Sequence, residues 1–134
     1  MNRLTSLLLT LLITSTITSG CAPQDSMSNY FAIDTNHGRR VVIIYDETPG
    51  HRDNFSKLAD EEFYNGTTFH RVIQGFMIQG GDPNSKDDDP YNDGMGDPGY
   101  TLEAEIKPEL INRRGALVSA RQGDQVNPER RSSG

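Results

Sequence analysis

The sequence predicts a mainly β domain with antiparallel strand order and a helix at one end. Two β-rich runs flank an Asn- and Gly-containing turn, a single stretch of helical period follows, and further short β-type runs come after it. Runs joined by such tight turns pair antiparallel. A closed barrel is the usual way to protect so many strand edges.

The elements follow in order. In "YFAIDTNHG", from Tyr30, apolar Phe31 and Ile33 alternate with polar residues up to Asn36-His37-Gly38. "RRVVIIYDETP" then carries a β-branched run, Val41 to Ile44, and Pro49-Gly50 stops it. Together they read as a hairpin. "HRDNFSKLADEEFYNG" places Phe55, Leu58, Ala59 and Phe63 on one helical face, with Asn65-Gly66 expected to end the helix through a left-handed cap. "TTFHRVIQGFMIQGGDP" is β-branched and aromatic, and Gly75 is expected to bend or bulge it. Residues 82–99 read as a long, solvated acidic loop without apolar periodicity. Tyr100–Ile106 and Gly115–Arg121 are the last strand candidates, and the end is polar and turn-like.

The first twenty residues read as an export signal. Arg3 supplies the positive start, and the uncharged run Leu4–Ile17 is too short for a permanent membrane span. The tetrapeptide Thr18-Ser19-Gly20-Cys21 resembles a bacterial lipobox, with Thr18 where Leu is usual. That resemblance implies lipidation of Cys21, anchoring to a bacterial membrane and residence in the cell envelope; the plain alternative is a secretory signal that leaves a free thiol. Residues 21–29 read as a polar tether and 30–134 as the single domain.

Composition narrows the function. The chain has 134 residues and a formal charge of -6, the wrong sign for a nucleic-acid partner. Hydrophobic residues are only 34%, which predicts a modest or incomplete core. One cysteine excludes an internal disulfide and a cysteine metal cluster, and the three histidines lack ligand spacing. No metal and no cofactor are expected. Gly94-Met95-Gly96-Asp97-Pro98-Gly99 has the glycine spacing of a dinucleotide loop but follows no strand. Asp82, Asn84 and Lys86 open like a calcium loop, but Lys86 stands at a ligand position.

The informative stretch is Phe69 to Asp82, "FHRVIQGFMIQGGD". On a strand Phe69, Arg71 and Ile73 share one face, and His70 and Val72 the other. A permanent cation at Arg71, soft apolar Phe76 and Met77, and the amide of Gln79 could line a shallow groove. The plainer reading makes the apolar residues core and Arg71 a surface charge.

That segment closely resembles the signature of cyclophilins. "FYNGTTFHR", "GYTLEAEI" and "RGALVSAR" match the family in order and spacing, so the resemblance covers residues 30–134. It implies an eight-stranded closed antiparallel β-barrel with capping helices, of which this chain carries the N-terminal portion. Where the family continues from Ser-Ser-Gly into a further strand, the sequence stops at Gly134, and the barrel is not expected to close. The implied activity is peptidyl-prolyl cis-trans isomerisation, with Arg71 as the catalytic residue. The resemblance assigns Phe76, Met77, Gln79, Ala120 and Arg121 to the peptide groove, and gives His70 a supporting place at its edge. Implied partners are proline-containing peptides and folding proteins, met by a monomer. The alternative is a proline-peptide-binding lipoprotein without catalysis.

Overall fold

The computed structural model describes residues 29–134. The export signal, Cys21 and the tether up to residue 28 lie outside the described residues.

Strands β1 (Tyr30–Thr35) and β2 (Gly38–Ile43) form the expected hairpin, paired from Tyr30↔Ile43 to Thr35↔Gly38. The turn is closed by Thr35, whose hydroxyl donates to the Gly38 carbonyl at 2.8 Å and accepts from the His37 amide at 3.1 Å. Phe31 and Ile33 are half-buried, so β1 turns its apolar face inward. Phe31 meets Phe55 edge-to-face at 5.0 Å, and Phe55 stacks on Tyr64 at 5.2 Å. This aromatic string packs the hairpin on the helix. Burial pushes the Tyr64 hydroxyl up to about 12.

Helix α1 spans Pro49–Asp60, with Pro49 in its first turn, where no backbone donor is lost. Thr48 gives no side-chain cap; the Glu105 carboxylate instead accepts the Gly50 and His51 amides at 3.0 and 2.9 Å. Leu58, 2% exposed, is the one fully buried apolar side chain among the described residues.

The helix stops well before the expected Asn65-Gly66 cap. Glu62 takes a left-handed φ of 57°, the Phe63 amide donates to the Leu58 carbonyl at 2.9 Å, and the Glu62 amide to Ala59 at 3.0 Å. That pair of bonds is a Schellman closure built on a non-glycine residue. Gly66 is also left-handed (φ 79°), but in the turn beyond.

The next segment reverses completely instead of bending. β3 (Arg71–Ile73) pairs antiparallel with β4 (Met77–Gln79) around Gln74-Gly75-Phe76, with Gly75 at φ 75°. Beyond it the acidic stretch is not simply a solvated loop. A 3-10 turn spans Pro83–Lys86, and Asp82 and Ser85 are buried at 4% and 2% exposure.

The last two strand expectations are corrected. Only Thr101–Leu102 (β5) is strand, paired with Ser132–Ser133 (β6), a strand the sequence did not announce. Residues 115–121 are irregular: the Ala116 amide closes a local turn to the Arg113 carbonyl at 3.0 Å, and a single long-range backbone bond, from the Ser133 amide to the Ala120 carbonyl at 2.9 Å, does not make a ladder.

The result is mainly β, as three separate two-stranded antiparallel sheets, with no closed barrel among the described residues. Val41, Val72 and Ile78 leave more than half of their surface in water, so apolar sheet faces stand uncovered.

Candidate active site

The β3–β4 hairpin brings four of the expected groove residues together. Its register sets Arg71 opposite Gln79 and Ile73 opposite Met77, so these four share one face, while Val72 and Ile78 share the other. The Arg71 Nη1 donor lies 3.5 Å from Gln79 Oε1. Phe76 sits at the tip, its amide bonded to the Ile73 carbonyl at 3.0 Å and its ring 80% exposed. Arg71 is exposed, and Met77 and Gln79 are half-buried. The face thus offers guanidinium donors, an amide and an apolar surface side by side.

Glycines set the path out of β4. A Cβ on Gly80 would stand 2.9 Å from the Phe69 ring, and Gly81 has φ 90° with the Tyr64 ring 3.3 Å from its open side. The chain then reaches Asp82, whose carboxylate collects the amides of Asn84 (2.8 Å), Gly94 and Gly96. Burial pushes this carboxyl up, but those donors, with help from the His70 ring, hold it below the usual range. Ser85 completes the knot, donating to the Asp82 carbonyl at 2.7 Å and accepting the Thr68 amide at 2.9 Å.

His70 does not join Arg71. It packs against Gly94 of the acidic loop, and both ring nitrogens are buried without a protein partner. Ala120 and Arg121 lie in the exposed segment before β6; the Arg121 guanidinium pairs with Asp124 and reaches the Gln122 carbonyl at 3.2 Å. Among the described residues no hydrogen bond or ion pair joins either of them to the hairpin.

Two features escaped the sequence reading. One is the Asp82 knot, for which Asp-Pro-Asn was the only local signal. The other joins His51, Glu105 and Ser132, remote in sequence, with no local signal. No group of three or more His, Cys, Asp or Glu side chains among the described residues could hold a metal ion.

Fold and site together define a mainly β protein whose exposed hairpin presents a cation and an amide beside apolar side chains. The family model described as cyclophilin type peptidyl-prolyl cis-trans isomerase/CLD matches residues 30–133. The chain belongs to that family. It is 38% identical over 97 residues to peptidyl-prolyl cis-trans isomerase B of Bacillus subtilis, covering 72% of this chain and 63% of the relative. It is 39% identical over 97 residues to a peptidyl-prolyl cis-trans isomerase of Helicobacter pylori, covering 70% and 55%. A putative bifunctional phosphatase/peptidyl-prolyl cis-trans isomerase of Streptococcus pyogenes is 40% identical over 113 residues, covering 78% of this chain and 23% of the relative. The chain therefore spans less than two thirds of the length of these relatives. No solved structure matches it significantly.

Proposed function

We propose that the chain carries the catalytic face of a peptidyl-prolyl cis-trans isomerase, with Arg71 as its catalytic residue. The observation that carries this reading is the exposed Arg71 guanidinium, paired only loosely with Gln79, on the hairpin that ends in exposed Phe76. Family membership and the names of the relatives support it.

The chemistry suits these side chains. Rotation about an X-Pro bond meets an amide-resonance barrier of about 18–20 kcal/mol and takes tens to hundreds of seconds unaided. No bond is made or broken, so the task is to stabilise a twisted amide whose nitrogen lone pair has become localised. A guanidinium donor near that nitrogen binds the twisted state more tightly than the planar one, which is the condition for acceleration. Arg suits the role because it stays charged and holds its donors in a rigid fork. Phe76 and Met77 offer the proline ring an apolar seat, and Gln79 donates to a peptide carbonyl while the other side turns. Ala120 and Arg121 contribute backbone groups to the peptide.

The substrates are proline-containing peptides and folding proteins, met by a monomer. The short strands are of the kind that the family assembles into an eight-stranded barrel with capping helices; the uncovered Val41, Val72 and Ile78 are side chains that further sheet would cover. The uncharged run Leu4–Ile17 and the small residues before Cys21 support export and lipidation, which place the protein at the bacterial cell envelope. Incorporation of labelled fatty acid, lost in Cys21→Ser, tests the anchor.

Exchange NMR on a short proline peptide tests the activity. Cis-trans exchange faster than the uncatalysed rate, lost in Arg71→Ala, supports the reading. Peptide binding without accelerated exchange makes the chain a proline-peptide-binding module instead.

A further inference from the structure

Both ends of the segment that carries Ala120 and Arg121 are held by one side chain. The His51 ring sits in the first turn of α1. Its Nδ1 lies 2.5 Å from Glu105 Oε2, and its Nε2 lies 2.8 Å from Ser132 Oγ. A carboxylate only accepts, so Nδ1–H donates to Glu105, and Nε2 of a neutral ring accepts a hydrogen bond from the Ser132 hydroxyl. Glu105 stands just before, and Ser132 just after, residues 106–131, most of which are exposed.

The contact works alongside the β5–β6 pairing, and it is better shielded than the neighbouring ion pair. Ser132 is 4% exposed. The His51 and Glu105 side chains are each 21% exposed, whereas the neighbouring Arg131–Glu103 pair has Glu103 81% exposed. Exposed pairs contribute little, and shielded, hydrogen-bonded ones contribute more. Closing the ends of so long a segment costs entropy, which the contacts at its ends must offset. Beyond the clamp, Ser133 reaches back to the Ala120 carbonyl through its amide at 2.9 Å.

We propose that His51 is a positioning residue: it clamps Glu105 to Ser132 and so sets the geometry of the segment that presents Ala120 and Arg121 to the peptide. The substrate part of this inference rests on the isomerase reading above; the clamp itself does not.

The test uses the full chain in wild-type, His51→Ala and Ser132→Ala forms, the last in case His51→Ala fails to fold. Amide hydrogen exchange and titration with a proline peptide are read on each. Both variants are expected to speed exchange of the Ser133 and Gly134 amides about tenfold or more, with the β1–β2 amides unchanged. They are expected to weaken peptide binding about threefold to tenfold, with kcat within about twofold of wild type. Ser133 exchange at the wild-type rate in both variants overturns the clamp. Faster exchange with unchanged peptide affinity overturns the positioning role and leaves a structural tie. A wild-type chain that binds peptide without turnover refutes the isomerase reading alone, since the affinity comparison still reads the inference. A wild-type chain that binds no peptide overturns both.

Discussion

The Arg71 guanidinium and the Gln79 amide stand opposite each other at the open end of the β3–β4 hairpin, 3.5 Å apart. At that separation the contact is at the outer limit of a hydrogen bond and constrains the guanidinium only weakly. No ion pair holds Arg71 among the described residues, in contrast to Arg39, Arg52, Arg121, Arg130 and Arg131. The hairpin thus fixes where the cation stands and leaves most of its donors open to solvent.

Arg71→Ala is expected to lower kcat/KM by about tenfold to a hundredfold, the value of one charge-assisted hydrogen bond of about 1.5–3 kcal/mol made in the twisted state. Arg71→Lys keeps the charge without the fork and is expected to fall between. Because Arg71 is exposed, the unfolding free energies of both variants from urea titration are expected to stay within about 0.5 kcal/mol of wild type. Full turnover by Arg71→Ala in the exchange assay would remove Arg71 from the mechanism.

Glu62 ends α1 in a left-handed conformation that costs a side-chain-bearing residue about 1–2 kcal/mol. Glu62→Gly relieves that strain and loses part of the gain to unfolded-state entropy, so a net stabilisation of about 0.5–1 kcal/mol is expected. Equilibrium urea unfolding reads it. A destabilised variant would show that the carboxylate itself holds the helix end.

The Asp82 knot leaves no room beside Gly96, where a Cβ would overlap Asp82 Oδ1 and touch Asn84 at 3.0 Å. Gly96→Ala is expected to destabilise by about 1–3 kcal/mol, the usual range for overpacking. Gly123→Ala serves as control, since nothing lies within 4 Å of its open side. Equal melting temperatures for the two variants would mean that the knot is not closed in solution.

Burial pushes the Glu105 carboxyl up, but the His51 ring and the amides of Gly50 and His51 outweigh it and hold the group below its ordinary value of 4.5. A depressed carboxyl contributes stability that is complete above the unfolded value and is lost as pH falls through the folded one. The stability advantage of wild type over Glu105→Gln is therefore expected to be level above about pH 5 and to shrink below pH 4.5. Thermal unfolding across pH 3–7 follows it. An advantage that grows as pH falls below 4.5 would contradict the lowered Glu105 carboxyl.

The first hairpin was legible except for its end: Phe31 and Ile33 alternate, Asn36-His37-Gly38 makes the turn and the Val41–Ile44 run is β-branched, but β2 stops at Ile43 and Pro49, read as its stop, instead opens α1. The start of α1 was legible within two residues, its end was not. Asn65-Gly66 is the stronger local cap signal, but the chain closes its Schellman bonds at Glu62, a residue type that seldom takes the left-handed region. Gly75 signalled a break without its extent: a bulge and a reversal use the same residue, and only the pairing of Arg71 with Gln79 separates them. The Gly115–Arg121 run has strand composition but no ladder beside it, and composition cannot supply a partner.

Taken alone, the amino-acid order was enough to give the mainly β class, the family, and a cation within a few residues of an apolar pair and an amide. These are local properties, carried by side-chain alternation, turn chemistry and one contiguous signature. Tertiary structure alone decided that Arg71, Ile73, Met77 and Gln79 share a face, that His70 turns under the acidic loop, and that His51 joins Glu105 to Ser132. Those relations depend on strand register and on contacts between residues remote in the chain, and no local propensity encodes either.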